Sequence, residues 1–283
     1  MKDLDTMADI LELQVWASDQ AYSESSLQED IEALWAEDDP DGAEEIARDI
    51  FSVLEERANI LGDAYPFICD GQVLSPRPNR KDDSSYLFCL GLLHFSDDVN
   101  LHLRTREFEA VVKKAAESYF GGEAVRIGAP WSTGQITDYG QLLASVSDLL
   151  PDIGPPTRTV APQGGDGGWD IVLVKNFSDR KFSRLIALGN CATGIEDWES
   201  KGQEKAISLF WSFFTRMPQT VNPCLTFLAV PFVLTEDQKL AKAYPNGITL
   251  DRFRVCGHAP NASPAIMAWL NTHRQYALNI PLF

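Results

Sequence analysis

Apolar residues recur along this chain with two different periods, and the changes of period mark out its elements. Residues 7–18, from Met7 to Ser18, place apolar side chains at helical intervals. Ser25 with Gln28 resembles a capping box for a second helix that ends near Trp35. After the Asp38-Asp39-Pro40-Asp41-Gly42 turn, Ala43–Leu61 predicts a long amphipathic helix with Ile46, Ile50, Val53, Leu54 and Leu61 inward, stopped by Gly62. The stretch from Ala64 to Leu74 carries short apolar pieces around Asp70-Gly71, a hairpin signal, and the Pro- and Arg-rich residues from Ser75 to Asp83 predict a loop. Three helices and a small hairpin is a layout that winged helices share. Ser84–His94 is apolar throughout and predicts a buried helix.

From Thr105 the pattern tightens. Residues 106–120 form a helical repeat ending at Gly121-Gly122, followed by a short strand over Ala124–Gly128. A helix over about Thr137–Leu150 precedes the Pro- and Gly-rich loop from Pro151 to Gly168. Trp169–Lys175 and Arg184–Ala192, separated by the Ser178-Asp179-Arg180-Lys181 turn, predict an antiparallel hairpin. Beyond it the pattern predicts a helix over Ile195–Met217, strands over Cys224–Leu234 and Gly247–Gly257, and a closing helix over Ala262–Ala277. The fold class expected is α/β of the α+β kind, a mixed central sheet flanked by helices, with residues 1–100 as an acidic helical N-terminal domain and 101–283 as a second domain.

Composition narrows the function classes. No apolar run approaches the ~20 residues that span a bilayer, and the acidic start lacks the regions of a secretory signal, so a cytosolic protein without membrane contact is expected. Five scattered cysteines without a C-x-x-C pair suggest reduced thiols, and the four histidines show no zinc-ligand spacing. The net charge of −17 argues at first against a nucleic-acid partner. Its distribution reverses that: Met1–Tyr65 holds 19 acids against 3 bases, a balance of −16, while the remaining 22 acids and 21 bases leave −1. The second domain is therefore free to present a basic face, and the acidic segment is suited to docking a protein partner.

The candidate chemistry lies in the second domain. Its order of helix, strand, Gly-rich loop, strand with Asp170, turn, strand with a polar residue, helix resembles the layout of the PD-(D/E)XK nuclease core. Phe108-Glu109, the run Gly164-Gly165-Asp166-Gly167-Gly168-Trp169-Asp170-Ile171, and Leu188-Gly189-Asn190-Cys191-Ala192 resemble the matching segments of Mrr-type restriction endonucleases over about Thr105–Lys205. More distantly, the stretch from Cys191-Ala192-Thr193-Gly194 to Trp198 and Lys201 is similar to uncharacterised bacterial proteins of the same superfamily, some of them encoded near anti-phage genes. The resemblance implies a restriction-endonuclease-like core that hydrolyses DNA phosphodiesters in bacterial restriction or anti-phage defence.

Such hydrolysis needs a hard divalent cation, Mg²⁺ or Mn²⁺, that polarises a phosphoryl oxygen and acidifies a water. Asp170 is the expected bridging ligand, with Glu109 and Asn190 in support. The chain departs from the family where Ala192 replaces the lysine that orients the nucleophile and balances charge. Lys175 and Lys201 are the candidate substitutes, and Lys201 is favoured, because an offset of five along a flat strand turns Lys175 away from Asp170. The alternative expectation is a degenerate nuclease-fold adaptor, or a DNA-mimic subunit, that binds a protein. A homo-oligomer is compatible with either. The aromatic residues Trp198, Phe210, Trp211, Phe213 and Phe214 are expected in the core rather than stacked on bases.

Overall fold

The computed structural model describes residues 3–35, 40–78, 84–95, 101–129, 139–158, 168–179, 184–195, 198–200, 207–217 and 224–282. The chain divides into two compact units: Met1–Ser96 together with Pro260–Phe283, and Asp97–Ala259.

In the first unit, helix α1 (Leu4–Ser18) is capped by Asp3, whose carboxylate accepts from the Thr6 amide. Strand β1 (Tyr22–Ser23), helix α2 (Glu24–Trp35) and helix α3 (Pro40–Leu61) follow. Strands β2 (Phe67–Cys69) and β3 (Val73–Pro76) form the expected hairpin, and β1 adds to it in a three-stranded antiparallel sheet of order β1-β3-β2. Helix α4 (Ser85–His94) is capped by Ser84 and nearly all of it is buried.

This unit contains a buried charge network. Arg57 of α3 is 1% exposed; its Nη1 lies 2.9 Å from Glu12 Oε2 and 2.8 Å from Asp9 Oδ1, and its Nη2 2.8 Å from Asp5 Oδ1. The hydroxyls of Tyr65 and Tyr86 both donate to Glu12, and His94 Nε2 stands 3.1 Å from Asp9 Oδ2. Burial, with the Glu12 charge second, pushes the Tyr65 phenol well above its ordinary value, so it stays a neutral donor.

The second unit opens with helix α5 (Leu101–Phe120) and strand β4 (Glu123–Arg126). Helix α6 (Tyr139–Leu149) precedes strands β5 (Ile171–Lys175) and β6 (Leu185–Cys191). Then come helix α7 (Ile207–Trp211), strand β7 (Leu225–Ala229), helix α8 (Glu236–Asn246), strand β8 (Ile248–Leu250) and helix α9 (Arg252–His258). The sheet runs β4-β5-β6-β7-β8, antiparallel across its first three strands and parallel from β6 to β8. A mixed sheet with helices against it is the expected architecture.

One sheet face, carrying Val172, Val174, Ile186 and Leu188, packs with Leu143 and Val146 of α6 and with Trp169, Phe210, Trp211, Phe213 and Phe214. The aromatic residues are core, as expected. On the other face, which takes α5, the ring of Phe227 lies where a side chain at 189 would be: a Cβ on Gly189 would stand 2.0 Å from it. Phe120 of α5 packs on the same ring.

Three expected elements differ. The Ile195–Met217 helix is interrupted: a 3-10 turn spans Trp198–Ser200 and α7 is one short stretch, with bulky aromatic residues buried at successive turns. The expected strand over Gly247–Gly257 ends at Leu250, because Asp251 accepts from the Arg254 amide and starts α9. The closing helix breaks into α10 (Pro264–Thr272) and α11 (Arg274–Ala277), and both belong to the first unit, not the second domain of the expected division. Trp269 of α10 packs edge-on against Phe88 of α4, and apolar burial there outweighs nearness in sequence.

Arg57→Met leaves Glu12 and Asp9 buried without their cation. Urea unfolding should show a loss of about 3–5 kcal/mol, whereas Arg48→Ala, which breaks an exposed pair with Glu44, should cost less than about 1 kcal/mol.

Candidate functional site

The site begins where β4 and β5 cease to pair regularly. Helix α5 ends at Gly121, whose positive φ of 68° reverses the chain into β4. Arg126 then lies across from Ile171. One residue further, two successive amides converge on one carbonyl: Ile127 N and Gly128 N donate to Asp170 O at 2.7 and 3.1 Å. On its other side the Asp170 amide donates to Gly189 O at 2.9 Å. Asp170 is thus tied by backbone to both neighbouring strands just before β5 begins. The local mismatch, two residues against one, turns its side chain along the strand ends.

The Asp170 carboxylate is half-buried, and its Oδ2 accepts from the Cys191 amide at 2.7 Å. Glu109, 2% exposed on α5, points to the same place. A Cβ built on Gly128 would stand 2.5 Å from Glu109 Oε2 and 2.8 Å from Asp170 Oδ1. The bare α-carbon of Gly128 is what lets two carboxylates share this space. Arg126 supplies the opposite charge: its Nη1 donates to Glu109 Oε2 at 2.6 Å and to Gly128 O at 2.7 Å.

Of the residues expected here from the sequence, Asp170 and Glu109 are brought together. Asn190 is 3% exposed and its Nδ2 has no hydrogen-bond partner among the described residues. Strand alternation puts it on the face of Ile186 and Leu188, away from the α5 face that carries Glu109. Lys175 is not brought to the pair. It closes β5, about 16 Å along the strand from Asp170, and its Nζ would stand 3.1 Å from a Cβ on Gly121. Lys201 lies outside the described residues. Ala192 is buried with Trp198, Leu228, Val230 and Leu234 in a separate apolar cluster. Among the described residues no group of three or more His, Cys, Asp or Glu side chains is arranged to hold a metal ion.

Sequence reasoning missed Arg126, Gly128 and the Cys191 amide. Arg126 carries a faint signal, a charged residue between the apolar Ala124-Val125 and Ile127. The other two act through a missing side chain and a backbone amide, which residue type does not announce.

Two concavities of the second unit lie elsewhere. One, of about 460 Å³, includes Gly121, Asn176 and Arg184, beyond the end of β5 opposite to Asp170. The other, of about 510 Å³, lies at β8 and includes Lys239, Arg254 and His258. No protein-family model, curated protein or solved structure matches the chain.

Gly128→Ala must displace one of the two carboxylates or the strand end, so thermal unfolding should report a loss of about 1–3 kcal/mol. Gly257→Ala in α9, where an added methyl meets nothing within 4 Å, should gain about 0.5–1 kcal/mol.

Proposed function

We propose that the second unit is a metal-dependent endonuclease of the PD-(D/E)XK superfamily, similar to the Mrr type, which hydrolyses DNA phosphodiesters in the cytosol in bacterial restriction or anti-phage defence. The carrying observation is the convergence of Asp170 and Glu109 over Gly128. The succession of α5, β4, the Asp170 strand and the antiparallel Asn190 strand supports it, since it agrees with the layout the resemblance implies.

Two carboxylates are a donor set that suits Mg²⁺ or Mn²⁺, since such an ion binds through one or two carboxylates and keeps water on its other positions. Asp170 and Glu109 would hold it, and when bound it would polarise a phosphoryl oxygen and acidify a water. Asp170 is prepared for this by backbone bonds on either side, and the Cys191 amide fixes the rotation of its carboxylate. Asn190, buried on the other face of β6, takes no part in this donor set. In this proposal Lys201 keeps its expected role as a supporting base, and Lys175 has none.

A second reading has an observation of its own. Ala192 sits in an apolar cluster, so the family lysine has no counterpart there. That favours a nuclease fold kept as an adaptor or DNA mimic, docking a protein partner through the acidic N-terminal unit or self-associating as a homo-oligomer. Among the described residues no helix is long and apolar enough to cross a membrane.

Purified protein incubated with supercoiled plasmid and Mg²⁺ or Mn²⁺ should convert it to nicked and linear forms. Asp170→Ala and Glu109→Gln should each lower the rate by at least about 100-fold. Equal silence from parent and variants would leave the adaptor reading in possession.

A further inference from the structure

Among the described residues the nuclease reading leaves one role without a residue: the cation that meets the charge building on the phosphate. Position 192 cannot serve even by substitution, because a lysine there would carry its ammonium into the cluster of Trp198, Leu228, Val230 and Leu234. Lys175 points its ammonium toward Gly121 at the far end of β5. Arg126 is already at the carboxylate pair. It ends β4, sits across from Ile171, and shares the α5 side of the sheet with Ala124 by strand alternation.

We propose that Arg126 is the catalytic cation of this site, replacing the lysine absent at position 192 and binding a non-bridging oxygen of the scissile phosphate; the inference rests on the nuclease reading. Three observations carry it. Its Nη1 lies 2.6 Å from Glu109 Oε2, so the charge is beside a carboxylate that would hold the metal ion. Its second contact, to the carbonyl of Gly128, fixes the guanidinium at the residue on which both carboxylates converge. The Arg126 side chain is 18% exposed against 2% for Glu109, so of this ion pair the guanidinium is the part that an incoming polyanion meets.

Arginine fits this role better than it fits that of a base. Its fork of five donors matches phosphate geometry, and it keeps its proton at all working pH values. In the step, a water oxygen forms a bond to phosphorus while one P–O ester bond breaks; the water's proton passes to solvent, and the departing ester oxygen takes one from solvent. Arg126 exchanges no proton. It holds charge that is larger in the transition state than in the bound substrate, so its loss falls on kcat.

The test uses the full chain with supercoiled plasmid and Mn²⁺, comparing parent, Asp170→Ala, Arg126→Gln and Arg126→Lys. Glutamine retains a donor for Glu109 but loses the charge; lysine returns the charge. The proposal expects Arg126→Gln to lose about 100-fold in kcat with KM within about threefold, and Arg126→Lys to recover much of that loss. Both variants should stay folded at the assay temperature, and both should bind a DNA duplex in Ca²⁺ with near-parental anisotropy titrations. Parental nicking by Arg126→Gln overturns the role of Arg126 and leaves the nuclease reading standing. An equal fall of the glutamine and lysine variants, with lowered melting temperatures, shows a structural role only and also overturns it. No nicking by the parent in Mn²⁺, or in Mg²⁺ put in its place, removes the nuclease reading and this inference with it.

Discussion

Three backbone hydrogen bonds, two into the Asp170 carbonyl from Ile127 and Gly128 and one from the Asp170 amide to Gly189, hold the residue on which the second unit's candidate site turns. They clamp it between β4 and β6 before regular pairing begins. A carboxylate in that position is aimed by the sheet rather than by its own rotamer, and preorganisation of this kind is what a polar site needs if it is not to lose energy reorganising. The same mismatch brings Gly128 beneath the α5 helix. With no side chain there, Glu109 descends to the level of Asp170, and Arg126 offsets the repulsion between them.

The first unit applies related physics to another end. Part of the acidity that dominates Met1–Tyr65 is internal: Glu12 and Asp9 are buried on Arg57, and Asp5 reaches the same guanidinium. An arginine with anionic partners, two of them buried, and two tyrosines donating to one glutamate pair these buried charges with one another, although Arg57 Nε has no partner among the described residues; paired, hydrogen-bonded charge is the form an interior tolerates. The formal charge of the segment therefore overstates what it shows to a partner. A surface that mimics DNA would have to be assembled from the other acids.

Much of the fold was legible. The helices α1 to α6 and the β5–β6 hairpin follow from hydrophobic period, Ser and Asp caps and Gly stops, all of which act within a few residues. The region after Cys191 was less so. There the aromatic residues from Phe210 to Phe214 are buried by tertiary contacts on short turns, which breaks the helical period. Asp251 likewise converts an expected strand into a helix start through one cap. The return of Pro260–Phe283 to the first unit had no local signal, since the surface it covers is made by α4 and α1, far away in sequence.

By itself the sequence determined the kinds of element and their order in the second unit as far as β6, because residue type and local period carry that information, while Asp170 and Glu109 stood out only through the resemblance of the segments around them. Tertiary structure alone decided that these two acids meet, that position 192 faces an apolar cluster, that Lys175 lies at the far end of its strand from Asp170, and that Arg126 pairs with Glu109. Each depends on which strand lies beside which and in what register, and register is set by the packing of whole sheet faces rather than by any short stretch of residues.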